Sequence, residues 1–540
     1  METSVDKILK VTITEHGETV GISDKAIAEL PSKIVNNQSV GIDTVTGASN
    51  TSKAILDATT DALVKAGANK NDISTSVAKS EAEKITYTTE ADIIIVGAGG
   101  AGLAAGVSAY ENGAKSVIIL EKMPSIGGNT IRSGGAYNAV NPEKQKAQNI
   151  EDSTDKHFTQ TFEGGNKVAN EKLVRVLVDN AMDGVKWLES YGMKFNEKMG
   201  SVVGAMWPRT NQAADPVGTG YIKTLSEAFK KLGGTIYTNT EVTSIIRLED
   251  KVTGVMAKGP DCVIREFKAT KAVILAAGGY GKNNEMVFEF LDKGVYTKDN
   301  LPQNIESTNH NGATGEVIKL AMSIGSEALD MEHVQLLPIP ADKYGPTINV
   351  DDVIFVNKEG KRFVKEDGRR DEICKAIFQQ TDSQYYMIND SKIIPPSRKT
   401  TSAEDLDVLI SKGIVIEAPS LEELAKKINM PADALLDTVK KYNESFDKKS
   451  DEFGRGNWSS KIDKGPFYAT FRYPALHHTM GGLKINEETQ VIDKNGKIIP
   501  GLFAAGEITG GIHGANRLGG NAIADIIVFG RIAGKNAAKN

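Results

Sequence analysis

Three glycines, Gly97, Gly99 and Gly102, stand in a G-x-G-x-x-G array directly after the apolar residues 92–96. That spacing lets the chain turn tightly out of a strand, bring its backbone against a pyrophosphate and aim a helix N-terminus at it. An acid, Glu121, follows 19 residues after Gly102 at the end of a second apolar run, where it can accept hydrogen bonds from an adenosine ribose. Together they point to a dinucleotide. Asn129 and Thr130, then Ser133, Gly134 and Gly135, form a small-residue loop suited to passing beneath an isoalloxazine ring, which favours FAD over a nicotinamide cofactor. The two cysteines, Cys262 and Cys374, are too far apart in sequence for a haem, iron–sulfur or zinc motif. No metal is expected, and redox chemistry falls to an organic cofactor.

Those residues need an α/β scaffold. A strand over 92–96, a glycine turn, an Ala-rich helix and a strand over 116–120 predict the opening βαβ unit of a doubly wound, Rossmann-like FAD-binding domain. Residues 273–281 and 502–511 are two further strand ends rich in small residues, where the chain passes close to something. The 540 residues suffice for three or four domains. The divisions read from composition are a small N-terminal domain over 1–80, a linker over 81–90, the dinucleotide domain over 91–331 and 477–540, and an inserted α+β domain over 332–476. Within these, 8–14 reads as a strand, 51–65 as a helix and 421–443 as one amphipathic helix. A net charge of −6 without basic blocks argues against nucleic acid as a partner. No apolar run is long enough to cross a bilayer, and residues 1–10 are charged rather than signal-like. As written the chain reads as cytoplasmic, or as extracytoplasmic if a leader has been trimmed.

The run from His477 to Gly482 (His-His-Thr-Met-Gly-Gly), that from Gly501 to Glu507, and that from Gly511 through Arg517 to Asn521 carry a resemblance. They resemble the soluble fumarate reductases of the flavocytochrome c type and their relatives, the urocanate and other 2-enoate reductases, over about residues 91–540. The resemblance implies noncovalent FAD held by Ala101, Glu121, Asn129, Thr130, Gly134, Gly135, Glu316, Glu507, Asn521, Ala522 and Ile523. It places His477, Arg517 and Gly520 at the substrate. Reducing a double bond beside a carboxylate needs a hydride at the β carbon, a proton at the α carbon and cations for the carboxylate. Arg517 suits the carboxylate because its fork is planar and bidentate, and His477 can share it. His478, the next residue of an extended segment, points elsewhere and is read as structural. The proton donor implied by the resemblance, counted from a motif matching residues 357–363, is Arg370, with Arg369 as competitor.

The chain departs from the fumarate pattern. Leu337 stands where fumarate enzymes carry a His, and the Thr-Glu pair that follows has no match within 343–352. A second carboxylate would then be buried without partners, at a cost of several kcal/mol. Trp207, read as a wall of the same pocket, points the same way. The expected substrate is therefore an enoate with one carboxylate and an apolar or aromatic tail, cinnamate- or urocanate-like, with fumarate as the alternative. The missing Glu leaves Asp351 or Glu366 to relay protons. Residues 43–49 resemble the attachment motif of FMN-binding domains and imply covalent FMN at Ser49, with Thr46 and Thr51 as neighbouring hydroxyls. From the residues alone the same stretch is an ordinary N-cap turn. Covalent FMN implies a flavin transferase and an external electron-donor protein or dehydrogenase. A noncatalytic flavin electron carrier is the rival of another class.

Overall fold

The structure is a computed structural model that describes residues 1–4, 7–14, 24–42, 44–45, 49–69, 73, 87–338, 353–400 and 403–540; of Asp24, Lys25, Ser49 and Tyr87 only the backbone is described. Ile93, Ile94 and Ile95 are all fully buried, as β-branched residues covered on both faces of a parallel sheet should be. Their strand, Tyr87–Val96, lies between Ile264–Leu275 and Val117–Leu120, parallel to both. Thr235–Tyr237 continues the sheet beyond Val117–Leu120, and Ile498–Ala504 pairs with the end of Ile264–Leu275. The long strand Ile264–Leu275 has room on that edge for a second neighbour, Lys251–Lys258, which carries Glu241–Leu248 as a hairpin. The expected doubly wound domain is thus present.

Its first helix, Gly100–Glu111, is almost wholly buried because the C-terminal helix Asn521–Lys539 packs on it. The approach is close: a Cβ on Gly534 would come within 2.1 Å of the Ala105 carbonyl. The expected linker over 81–90 is too long at its C-terminal end. Tyr87–Glu90 already pair with Arg265–Lys268, so the sheet begins at Tyr87; residues 81–86 lie outside the described residues.

The inserted domain has its own four-stranded antiparallel sheet, Ile354–Val356, Tyr385–Asp390, Phe467–Arg472 and Val415–Ala418 in spatial order, and its own apolar clusters. Its expected limit at 476/477 falls inside a strand. Val334–Leu337 and Ala475–Thr479 pair antiparallel where the insertion leaves and returns, and Leu336 and Leu476 belong to the core of the dinucleotide domain. The single helix expected over 421–443 is two, Leu421–Lys427 and Ala432–Lys448. Pro431 disfavours helical backbone in the residue before it, and Asn429 turns left-handed at φ 54°.

The N-terminal segment contains strands Glu2–Thr3 and Ile8–Lys10 and helices Asp24–Asn37 and Ser49–Lys65. The strand is shorter than the 8–14 expected, and the second helix starts two residues earlier than expected. Ile8, Ile34, Val40 and Leu63 form its small core. No helix among the described residues is long and apolar enough to cross a membrane.

Candidate active site

Each glycine of the turn is required for a different reason. Gly97 has φ 105° and a Cβ there would meet the Ala276 carbonyl at 2.4 Å; on Gly102 a Cβ would lie 2.0 Å from the Gly97 carbonyl. These two serve turn and packing. A Cβ on Gly99 would meet nothing closer than 4.0 Å, because Gly99 faces a cleft of about 790 Å³, mouth included. Ala101, Glu121, Asn129, Thr130, Glu316 and Glu507 also line that cleft. Glu121 accepts from the backbone amides of Ala98 at 2.9 Å and Met123 at 2.8 Å. Burial raises its pKa above the ordinary carboxylate range against the pull of those amides. Glu316 opens a helix and is held by Lys122 and Thr314. An open glycine backbone at a helix N-terminus, opposite a fixed buried acid, fits the FAD expected there.

The cleft continues past Asn129, whose amide donates to Asn309 at 2.7 Å and to Glu507 at 2.9 Å. Glu507 also accepts from the Thr479 amide at 3.1 Å, and burial raises its pKa. Beyond it the lining changes to Arg132, Ser133, Gly134, Val202, Val203, Leu337, Arg370, His477, Arg517, Gly520, Ala522 and Ile523. Among the described residues that end is lined by three arginines and no carboxylate. His477 presents an edge to it while its Nδ1 lies 2.7 Å from the Thr308 hydroxyl, leaving Nε2 for a ligand. Burial, then the charges of Arg370 and Arg517, keep the imidazole well below its usual pKa and therefore neutral.

Arg370 opens the helix Arg370–Phe378 and is buried, its Nε donating to the Val203 carbonyl at 2.9 Å and its Nη1 to Gln335 Oε1 at 3.0 Å. Gln335 in turn donates to the Arg517 carbonyl at 2.5 Å, so one amide links both arginines. Arg369 points away, gripped by Asp371 at 3.0 and 2.9 Å. That separates the two competitors by position. Arg517 is buried, donates from Nη1 to the Leu518 carbonyl at 3.0 Å, and has no partner for its Nε among the described residues. Burial pushes its pKa down to about 10.

Several expectations need correction. Trp207 does not line the cleft: its indole donates to the Glu151 carbonyl at 3.1 Å and the Lys156 ammonium sits over its ring, while Val202 and Val203 take the wall position. The side chain of Asn521 faces inward, bonded to Asn138, His157 and Thr161. Gly102 and Gly135 serve the fold; a Cβ on Gly135 would come within 2.4 Å of the Val217 carbonyl. His478 points toward Glu507 and His513 but also lines the middle of the cleft, so it is not merely structural. Glu366 is clasped by Arg362 and Arg455 within the inserted domain. Asp351, Thr46 and residues 343–350 lie outside the described residues, as does the side chain of Ser49.

The sequence reading missed Arg132, Thr308 and the linking role of Gln335, single polar residues that no spacing marks. The small residues Ala276, Ala277 and Gly278 do line the cleft, at the end of the 273–281 run.

Compared with known proteins, residues 92–523 match the FAD binding domain family and residues 1–64 the FMN-binding domain family. The chain is 36% identical over 599 aligned positions to an NADH:acrylate oxidoreductase of Vibrio harveyi, covering 99% of this chain and 59% of that protein. It is 35% identical to a urocanate reductase of Eggerthella lenta, covering 99% of this chain and 89% of that one. Among solved structures, the open conformation of a flavocytochrome c3 fumarate reductase superposes with a TM-score of 0.65 at 34% identity, covering 83% of this chain and 78% of that chain. The chain thus spans about three fifths of the length of the Vibrio relative.

Proposed function

Starting from a chain that belongs to the FAD-binding domain family of acrylate, urocanate and fumarate reductases, with an FMN-binding domain ahead of it, we propose that it reduces the carbon–carbon double bond of an α,β-unsaturated monocarboxylate. The observation that carries this is a cleft end, continuous with the flavin cleft, whose lining among the described residues includes Arg132, Arg370 and Arg517 and no acid. Arg517 lines that end and makes no ion pair among the described residues, and a planar guanidinium so placed suits a carboxylate.

Arg517 and neutral His477 hold the carboxylate, Arg517 through its fork and His477 through Nε2–H. As charge develops on that carboxylate the same donors bind it more tightly, which lowers the barrier. Bound FAD supplies the hydride that adds at the β carbon. Arg370 gives a proton to the α carbon, and Gln335 and the Val203 carbonyl fix its orientation. A guanidinium is a poor acid in water, so the role depends on burial against the negative substrate. Leu337, Val202 and Val203 offer the tail an apolar wall, which supports an aryl or short alkyl enoate over fumarate.

For the N-terminal domain we propose Ser49, at the start of the helix Ser49–Lys65, as the residue a flavin transferase esterifies to FMN, with electrons delivered by an external donor. Denatured protein from a host with that transferase should retain FMN and release FAD. Ser49→Ala should lose the added mass; retention would move the ester to Thr46 or Thr51. The reductase reading is tested anaerobically with a reduced dye. Addition of an enoate should oxidise the dye and yield the saturated acid in equal amount, whereas an electron carrier would oxidise none.

A further inference from the structure

A neutral imidazole carries one proton, and the nitrogen that holds it decides whether the other is a donor or a bare lone pair. His477 stays neutral because burial and the charges of Arg370 and Arg517 oppose a second proton. With the proton on Nε2 the ring donates into the cleft. With the proton on Nδ1 it turns a lone pair toward any carboxylate bound there and repels it. The choice is made at Nδ1, where the hydroxyl of Thr308 lies 2.7 Å away.

A hydroxyl meets such a nitrogen either as donor or as acceptor. Among the described residues the Thr308 hydroxyl has one other partner, the Leu476 carbonyl at 3.2 Å. That carbonyl already accepts from the Thr308 amide at 2.8 Å and from the Asn309 side-chain amide at 3.4 Å, so both of its lone pairs are engaged. The hydroxyl proton is left for Nδ1, the nearer of the two. Nor does Thr308 follow the ring if the ring turns. It is buried, and its neighbours are tied down: Ser307 donates to the Gly281 carbonyl at 2.5 Å, Asn309 Oδ1 accepts from Asn129 at 2.7 Å, and the His310 amide donates to Asn129 Oδ1 at 2.7 Å. The hydroxyl thus stands at a fixed point, on a loop that Asn129 of the flavin cleft holds from the other side.

We propose that Thr308 is a positioning residue: its hydroxyl donates to His477 Nδ1, fixes the proton on Nε2 and so makes His477 a donor to the substrate carboxylate. The inference rests on the carboxylate reading of the cleft and names the residue on which that reading's histidine depends. Thr308 lines the middle of the cleft but acts through the imidazole.

The test uses FAD-loaded protein isotopically labelled at the imidazole nitrogens of its seven histidines, followed by magnetic resonance, with the His477 signals identified by their loss in His477→Ala. In the unmodified protein near neutral pH, Nε2 should carry the proton and Nδ1 none. In Thr308→Val, which keeps the shape and removes the hydroxyl, the two signals should move toward each other as the proton redistributes. Propanoate and 3-phenylpropanoate, saturated acids that bind without reacting, are then titrated and followed by flavin absorbance. Kd should rise about tenfold in Thr308→Val and stay within about threefold in Thr308→Ser, which restores the donor. In a His477→Ala background Thr308→Val should change Kd by less than about twofold, since its partner is gone. A proton on Nδ1 in the unmodified protein, normal binding in Thr308→Val, an equal loss in Thr308→Ser or a full loss in the His477→Ala background would each overturn the role of Thr308. The reductase reading would then still stand on dye oxidation by enoates. Unmodified protein that binds neither acid overturns the carboxylate reading and the role of Thr308 together. If Thr308→Val does not take up FAD, the proton position in the unmodified protein and in Thr308→Ser decides.

Discussion

The two ends of the cleft are built on opposite plans. At the glycine turn, the backbone of the βαβ unit does much of the shaping, and three carboxylates, Glu121, Glu316 and Glu507, are each held by named donors. At the far end several segments distant in sequence converge, the shaping is by side chains, and the charged groups lining it among the described residues are guanidiniums. The first plan suits a large ligand held by many modest contacts. The second suits a small anion that must gain binding energy as its charge changes.

Changing one end at a time separates the two plans. The largest effect should come from Arg370→Ala, which should cut turnover about 10³-fold or more while leaving the binding of saturated acids within severalfold, because proton transfer belongs to the transition state. Dye-linked turnover beside a flavin-absorbance titration checks this, and Arg370→Lys should keep a trace. Near-normal turnover would return the donor role to Arg369 or to water. Arg517→Ala should lower kcat/KM about 10²-fold with KM and kcat both affected, since a carboxylate clamp acts before and during reaction.

At the other end, Gly102→Ala should unfold the domain, since its Cβ would sit 2.0 Å from a carbonyl; Gly99→Ala, with 4.0 Å of clearance, should leave the melting temperature of the apoprotein in place and weaken FAD binding about tenfold. A Gly99→Ala protein with normal FAD affinity would break the comparison. The smaller effects concern the tail. Leu337→His should raise activity on fumarate severalfold, and Trp207→Ala should change kcat/KM by less than about twofold, because that ring lies outside the cleft.

The same contrast explains what could be read in advance. The glycine turn was legible because backbone geometry restricts residue type: left-handed φ and close approach leave glycine few substitutes. Glu121 was legible through its distance from the turn. Arg517, His477 and Arg370 were reached only through resemblance, since residues 477, 517 and 370 meet by topology and no periodicity links them. Trp207 misled because a large aromatic near a site reads as a wall, yet Lys156 and the Glu151 carbonyl hold it on the surface side. Asn521 misled because its neighbours Ala522 and Ile523 do line the cleft while its own amide turns inward at the start of the helix. The helix break at Pro431 was legible in principle: a proline ten residues into an amphipathic pattern is a reason to end the helix.

The central claim is that the cationic end receives one carboxylate and an apolar tail. It is tested most directly by the ratio of kcat/KM values for cinnamate and acrylate to that for fumarate, measured anaerobically on the unmodified FAD-loaded protein with a reduced dye. With Leu337, Val202 and Val203 in the wall, an apolar tail gains burial there that a second carboxylate does not, and at least one of the monocarboxylates should exceed fumarate by about tenfold or more, or about 1.4 kcal/mol. A preference for fumarate, or no oxidation with any enoate, would contradict it.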